Sequence, residues 1–436
     1  MSPPVRTTVA LLFAAWLIDY ADRFALSSVL PTIGDEFGLD LGQQGLIVSV
    51  FFLAYALCQI PGGMLADRFG ARRVTCWALL AWSLFTAATG LAWSFAALLV
   101  VRFAFGAAEG IFPAAATKAL VERTSRAQRM GAQGLIMSSN ALAAVIAPLT
   151  VPLLAATIGW RSTFYSAAAA GVFVYVAVRM WLPAPQDRTE DGDVPAGPVR
   201  TLDILRRGVL WRFAAMLFGY AAVTWGLSTW IPSYLFAERG VSLTSAGALM
   251  AVPSLGAAVA TFLGGRLADR YEGHHRKVIV PAMAVAAPAL CLMALSPSLT
   301  GSLICGTVAV FAASLCYMPI FAVPLRSLPP EQVGVGSSLV VFGGQAAGMA
   351  APPLLGTIAD AASFGVAFGV LALGPVLTIV MALTTPQDTE SFLAATEKGK
   401  PRADAPAPTE REPSRSPARK HHRPIRRRRT PPDARR

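Results

Sequence analysis

The feature that most constrains this chain is a succession of about twelve apolar blocks, near residues 9–30, 44–65, 74–93, 95–116, 131–157, 162–182, 211–235, 245–266, 278–296, 299–325, 332–357 and 363–384. Each approaches or exceeds the ~20 residues an α-helix needs to cross a hydrocarbon layer about 30 Å thick. Without water to satisfy the backbone, a spanning segment has to bond its own N–H and C=O groups, so each block is expected to be a helix. Charged residues make up 14% of the chain, against about 25% in soluble domains. The chain is therefore expected to be an all-α polytopic membrane protein. The first block reads as a span and not a cleaved leader, because no basic leader or A-x-A site accompanies it.

Between the sixth and seventh blocks lies "APAPQDRTEDGDVPAGPVR", rich in Pro, Gly and charge. It predicts an N-terminal six-helix half over 1–182, a linker over 183–210 and a C-terminal six-helix half over 211–384. Beyond, over 385–436, the composition turns to segments such as "RKHHRPIRRRRTPPDARR", expected to be a basic, disordered tail. The halves share a repeat: "GGMLADR" at 62–68 returns as "GGRLADR" at 264–270, each closing the second span of its half. Repeated halves with a site between them are a recurrent plan of secondary transporters.

Lys and Arg set the orientation. Arg68, Arg72, Arg73, Lys118, Arg123, Arg126 and Arg129 lie on one side, with the linker, Arg270, Arg276 and Lys277, whereas Asp35, Glu36 and Asp40 lie on the other. Arg161 and Arg239 are exceptions. The positive-inside rule predicts both termini in the cytoplasm, and localisation in a plasma (bacterial inner) membrane is expected. The tail then faces anionic lipid. Nucleic acid is not an expected partner.

Several chemistries are excluded. The five cysteines are scattered, with no C-x-x-C pair, so neither a disulfide framework nor a metal cluster is suggested. All four histidines (His274, His275, His421, His422) lie outside the apolar blocks. No G-x-x-x-x-G-K-[ST] loop occurs, which argues against transport driven directly by ATP. No nucleophile–base motif is present, so an enzyme is not expected, and no cofactor is called for.

Against this background the charges inside spans stand out. "LIDYADRFALSSVL" (17–30) holds Asp19, Asp22 and Arg23; span four holds Arg102 and Glu109. Each costs several kcal/mol in hydrocarbon unless paired or hydrated, so all should face the bundle interior. Arg102 and Glu109 are seven residues apart, about two turns, and share a face. Two readings stand: a fixed ion pair that orders the bundle, or a proton carrier at Glu109, poised between burial and the field of Arg102. Asp19 can touch Asp22 or Arg23 along its helix, whereas Asp22 and Arg23 point about 100° apart. Gln133, Ser138, Ser139 and Asn140 in span five, Tyr220 and Trp225 in span seven, and Tyr317 in span ten are either substrate contacts or glue between helices. The second half has no charge deep in its spans.

"GGMLADRFGARR" resembles the G-x-x-x-D-R-x-G-x-R-R loop signature of the major facilitator superfamily. Gly63 would let two helices approach closely, and Asp67 would cap a helix or pair with a basic residue. Within that superfamily the chain is similar to the anion–cation symporters, through "DYADRFALSSVLPTI", "RFAFGAAEGIFPA", "GWRSTF" and "WIPSYL". The departure is span eleven, "VVFGGQAAGMAAPPLLG", with Gly343, Gly344 and Gln345 where an Asn is expected. The resemblance implies the major facilitator fold of twelve transmembrane helices in two six-helix halves. It implies proton-coupled uptake of a small organic anion, such as a sugar acid or other carboxylate, by alternating access and as a monomer. Asp22 and Glu109 would couple protons. Arg23, Tyr55 and Arg102 would meet the substrate, with Gln133, Tyr220 and Tyr317 around them. Asp67, Arg68, Asp269 and Arg270, with Gly63, would gate the conformational change. Asp19 has no implied role; it would at least orient Arg23. Export of a drug-like compound ranks second, because span five ("SSNALAAVIAPLTVPLL") lacks the G-P-x-x-G-G-type signature of such antiporters. A non-transporting sensor or scaffold, suggested by the tail alone, ranks third.

Overall fold

A computed structural model of the chain describes residues 3–185, 204, 207–272, 274–328 and 330–397. Most of the linker and the tail beyond 397 lie outside the described residues. Six helices form the first half: α1 (Pro3–Phe37), α2 (Leu41–Phe69), α3 (Ala71–Gly90), α4 (Phe95–Val121), α5 (Arg126–Ile158) and α6 (Trp160–Trp181). The second half follows with α7 (Gly208–Ala237), α8 (Leu243–Arg270), α9 (Arg276–Leu295), α10 (Leu299–Ser314), α11 (Tyr317–Ser327), α12 (Pro330–Ala361), α13 (Phe364–Leu371) and α14 (Leu373–Thr384). A short α15 (Thr389–Glu397) ends the described chain.

Ten of these segments are long and apolar enough to cross a membrane, counting α10–α11 and α13–α14 each as one broken span. The remaining two of the twelve are α1, which carries Asp19, Asp22 and Arg23, and α3, which opens on Ala71-Arg72-Arg73. The two breaks have a backbone cause. Pro319 and Pro375 have no N–H to donate four residues back, to Leu315 and Leu371, and the chain turns just before each.

Buried apolar side chains gather in two large clusters, one from Val5 to Leu182 and one from Ile204 to Phe392. Trp225 packs against both. Its ring lies 4.8 Å from that of Phe52 and 6.4 Å from that of Phe24. The halves also meet where the start of α2 packs on the later part of α12. Gly42 N–H donates to Asp360 Oδ2 at 3.0 Å, and Ser49 Oγ to the Met349 carbonyl at 2.5 Å. Gly247 on α8 packs on the Pro148 backbone of α5, and within the second half Trp230 Nε1 donates to the Pro352 carbonyl at 3.0 Å. At the opposite end the repeated loops bond within their own halves, Asp67 to Lys118 and Asp269 to Arg326.

Arg161 and Arg239, the two basic residues on the acidic side, are tied down locally. Arg161 pairs with Glu36 at 2.6 Å and stacks on Trp160 at 4.3 Å. Partial burial would raise the Glu36 carboxyl, but the hydrogen bonds from Trp160 and Arg161 and the guanidinium charge outweigh it and hold it below the usual range. Arg239 donates to the carbonyls of Ser296 and Pro297 and to the Tyr234 hydroxyl, each at 2.7 Å.

Two expectations change. The segment expected to be disordered from 385 onward begins as ordered chain. Phe392 is fully buried against the second cluster, Ser327 Oγ donates to Thr389 Oγ1 at 3.1 Å, and the Asp388 side chain caps α15 through the Ser391 N–H at 2.8 Å. A single buried aromatic supplies the apolar contact that the composition of the tail conceals. The close-approach glycine is Gly62, not Gly63. A Cβ on Gly62 would lie 2.6 Å from the Ile111 Cα, whereas one on Gly63 would make an ordinary 3.8 Å contact. Gly264 repeats the arrangement against the backbone of Leu315.

Candidate functional site

The charged side chains of the first half converge in one buried cluster between α1, α3 and α4. Their placement follows from helical geometry. Asp19 and Arg23 sit one turn apart on α1, and Asp22 projects about 100° away from Arg23. Asp19 and Glu109 are fully buried, Asp22 and Arg102 nearly so, and the Arg23 side chain is 6% exposed.

Arg23 is held by two carboxylates. Its Nε donates to Glu109 Oε2 at 2.9 Å, and its Nη2 lies 2.9 Å from Asp19 Oδ2. The second contact is an ion pair without the alignment of a hydrogen bond, since neither atom has an aligned partner. Aromatic faces surround the guanidinium. Tyr55 lies 4.6 Å from its carbon, and Tyr20 and Phe51 lie 5.3 Å away. Cation–π attraction and the exclusion of water both strengthen charge pairing there. Glu109 therefore pairs across helices with Arg23, where sequence spacing had suggested Arg102 on its own helix.

Asp22 turns away from that pair. Its Oδ2 accepts from Thr86 Oγ1 on α3 at 3.1 Å, and Arg102 faces it electrostatically. Arg102 lies over Phe105 at 4.9 Å and Phe164 at 5.3 Å. Its Nε and Nη2 are buried with no hydrogen-bond partner among the described residues. An unpaired buried N–H is costly, about 1–3 kcal/mol for a neutral group and more for a charged one. The cluster thus contains one guanidinium doubly engaged and one with donors to spare.

The second half supplies hydroxyl groups. Tyr220 and Tyr317 have ring centroids 5.5 Å apart, and Tyr317 lies within electrostatic range of Tyr20 and Tyr55. Trp225 closes the space on the Phe24 and Phe52 side. On α5 the expected residues separate: Gln133 and Asn140 are half-buried, Ser138 is exposed and donates to the Leu135 carbonyl of its own helix, and Ser139 is buried with its hydroxyl unpartnered. The loop residues lie away from the cluster. Asp67 pairs with Lys118 at 2.6 Å and Asp269 with Arg326 at 3.1 Å, and the Arg68 guanidinium lies over Phe69. Arg270 is exposed at the end of α8.

Sequence reasoning missed Tyr20 and Thr86. Tyr20 was detectable in principle, being three residues before Arg23. Thr86 looks like any other residue of an apolar helix.

Comparison with known proteins agrees with this architecture. The model of the Major Facilitator Superfamily matches residues 12–274 and 233–432. A hexuronate transporter of Bacillus subtilis is 28% identical over 368 residues, covering 81% of this chain and 87% of its own length. A probable sulfoacetate transporter of Cupriavidus necator is 30% identical over 370 residues, covering 79% and 85%. Among solved structures, a bacterial homologue of the human lysosomal transporter Spinster, inward-facing and unoccupied, superposes with a TM-score of 0.76 at 20% identity, over 93% of this chain and all of that one. With ten segments long and apolar enough to cross a membrane, and α1 and α3 packed among them, the chain belongs to the Major Facilitator Superfamily, a family of multi-pass membrane transporters and not of enzymes.

Proposed function

We propose that this protein is a secondary transporter that takes up a small organic anion, a sugar acid or another carboxylate, together with protons. The observation that carries the reading is the buried cluster. Two guanidiniums suit carboxylate recognition, Arg23 is occupied by Glu109, and Arg102 keeps two unpartnered donors. The relatives named for hexuronate and sulfoacetate transport support an anionic substrate.

In this reading Glu109 and Asp22 are the proton-coupling groups. A proton on Glu109 removes the charge that binds Arg23, and the substrate carboxylate replaces it; loss of the proton restores the internal pair and expels the anion. Asp22 plays the matching part opposite Arg102. Tyr55, Gln133, Tyr220 and Tyr317 bond the substrate's hydroxyl groups. The halves then rock about this site in alternating access. The Asp67–Arg68 and Asp269–Arg270 loops mark the end that separates, which fits an inward-facing state: the cross-half contacts described above join α2 to α12 and α5 to α8 at the other end. Both termini are assigned to the cytoplasm of a bacterial inner membrane. All five charges come from one chain, so a monomer suffices.

The test is a proteoliposome screen of organic acids, beginning with D-glucuronate and sulfoacetate, under pH gradients of both signs. Uptake driven by an acidic exterior supports the reading. Export against the gradient assigns the direction of an antiporter, and no anion flux under either gradient refutes it.

A further inference from the structure

Asp19 is a third buried carboxylate that the coupling scheme above does not use, and its surroundings give it charge pairing without hydrogen bonds. Its Oδ2 lies 2.9 Å from Nη2 of Arg23, and among the described residues neither of its oxygens accepts an aligned hydrogen bond. Asp22, by contrast, accepts from Thr86, and Glu109 accepts from Nε of Arg23. No hydroxyl or backbone N–H among the described residues holds Asp19 in place. What it adds to the site is therefore a negative charge beside the Arg23 guanidinium, at a different nitrogen from the one Glu109 uses. When Glu109 gives way to a substrate carboxylate, Asp19 keeps its own contact.

That charge sets how much anion the site can hold. Asp19, Asp22 and Glu109 face Arg23 and Arg102 in a water-poor aromatic enclosure. With the two protons of the coupling scheme on Glu109 and Asp22, two guanidiniums and the Asp19 carboxylate remain, one net positive charge. A monoanion brings the loaded site to neutrality. A dianion leaves one negative charge buried and uncompensated, which is strongly unfavourable. The second half does not supply the missing cation: among the described residues its Lys, Arg and His side chains lie near helix ends or in turns, and Tyr220 and Tyr317 are what it brings to the site. Within the cluster a third proton would have to go to Asp19, at the cost of its ion pair with Arg23.

We propose that Asp19 is a specificity-determining residue: it stays ionised beside Arg23 through the cycle and limits the transported anion to a single negative charge. The inference rests on the anion–proton symport reading and narrows its substrate class to monocarboxylates, of the uronate and aldonate kind, with dicarboxylates rejected. Rejection by an unpaired charge discriminates between acids of the same size and shape, which the walls of a pocket do not. Asp19→Asn raises the positive charge of the proton-loaded site by one and so admits a dianion.

The test uses the full chain in proteoliposomes with D-gluconate and D-glucarate as probes. The two share a carbon skeleton and differ at one end, a CH2OH group against a second carboxylate, and both carboxylates of D-glucarate are ionised at about pH 7. The wild type and Asp19→Glu prefer D-gluconate by about tenfold or more in kcat/KM, the scale of one uncompensated charge. Asp19→Asn loses most of that preference through faster D-glucarate uptake. A residue that merely orients Arg23 would on substitution slow both acids alike, so an unchanged ratio in Asp19→Asn overturns the proposal. A wild type that takes up D-glucarate as well as D-gluconate, or better, also overturns it and leaves the symport reading standing. Movement of neither acid by the wild type, under pH gradients of both signs, counts against the symport reading instead. Infrared difference spectroscopy without substrate then decides the matter for Asp19, as it does if Asp19→Asn moves neither acid. Carboxyl C=O intensity gained between pH 8 and 6 that is equal in the wild type and Asp19→Asn supports a carboxylate that stays ionised; a band present in the wild type and missing from Asp19→Asn overturns it.

Discussion

Arg23 on α1 and Glu109 on α4 are 86 residues apart in sequence and meet at 2.9 Å inside the first half. In the proposed function, the contact ties the helix that carries the anion-binding guanidinium to a carboxylate that trades its charge for a proton. The Arg23–Glu109 pair and protonation of Glu109 thereby become mutually exclusive alternatives.

Replacing Arg23 by Lys keeps the charge and loses the fork and the flat face stacked on Tyr55. A charge-assisted hydrogen bond contributes about 1.5–3 kcal/mol, so KM for the transported acid should rise about 10- to 100-fold. Initial-rate uptake in vesicles checks this, and an unchanged KM removes bidentate recognition at Arg23.

The neighbouring glycines Gly62 and Gly63 should respond in opposite ways to alanine. At Gly62 the added methyl group meets the Ile111 backbone, and overpacking of this kind costs about 1–3 kcal/mol. At Gly63 there is room, and replacing a helix-interior glycine gains up to about 1 kcal/mol. Thermal unfolding in detergent should rank Gly63→Ala above the wild type and Gly62→Ala below it.

His275 sits at the α8–α9 turn, bonded to Thr385 Oγ1 at 2.9 Å and packed on Phe213. Burial first, and then the Arg276 charge, push its imidazole down to about 4. The unfolded segment binds a proton near pH 6.5, where the folded form does not. Stability is therefore complete above about pH 6.5 and declines as the pH falls toward 4, by about 3 kcal/mol at most. Protection factors over 385–397, corrected for the intrinsic pH dependence of amide exchange, should fall through that window, and His275→Gln should flatten the response.

The ion pairs Asp67–Lys118 and Asp269–Arg326 are largely exposed on their acidic sides, and each joins two helices of one half. Exposed pairs contribute about 0–1 kcal/mol. Asp67→Asn and Asp269→Asn should accordingly leave the melting temperature within a few degrees of wild type while slowing transport turnover. A large drop in melting temperature would assign these loops to structure alone.

The twelve spans and the charges of 17–30 were legible because an apolar background makes every ionisable residue conspicuous. Partner choice was not. Glu109 was paired in sequence with Arg102, two turns away on its own helix, whereas the crossing of α1 and α4 puts Arg23 closer. Adjacent Gly62 and Gly63 differ only in which helical face they occupy, and a motif does not record that face. The break before Pro319 could have been read from the missing N–H. The packing of Phe392 could not, since one aromatic in a polar segment gives no periodicity. The second half's contribution was legible as an absence of charge, but the meeting of Tyr220 with Tyr317 depends on two helices whose crossing the sequence leaves open.

The most direct measurement is made on Glu109→Gln in proteoliposomes, with an organic acid that the wild type accumulates. Glutamine mimics the protonated carboxyl and leaves Arg23 free of that pair. The account predicts that accumulation driven by a pH gradient disappears while exchange of labelled for unlabelled acid across the membrane continues. Accumulation under the pH gradient equal to that of the wild type would contradict it.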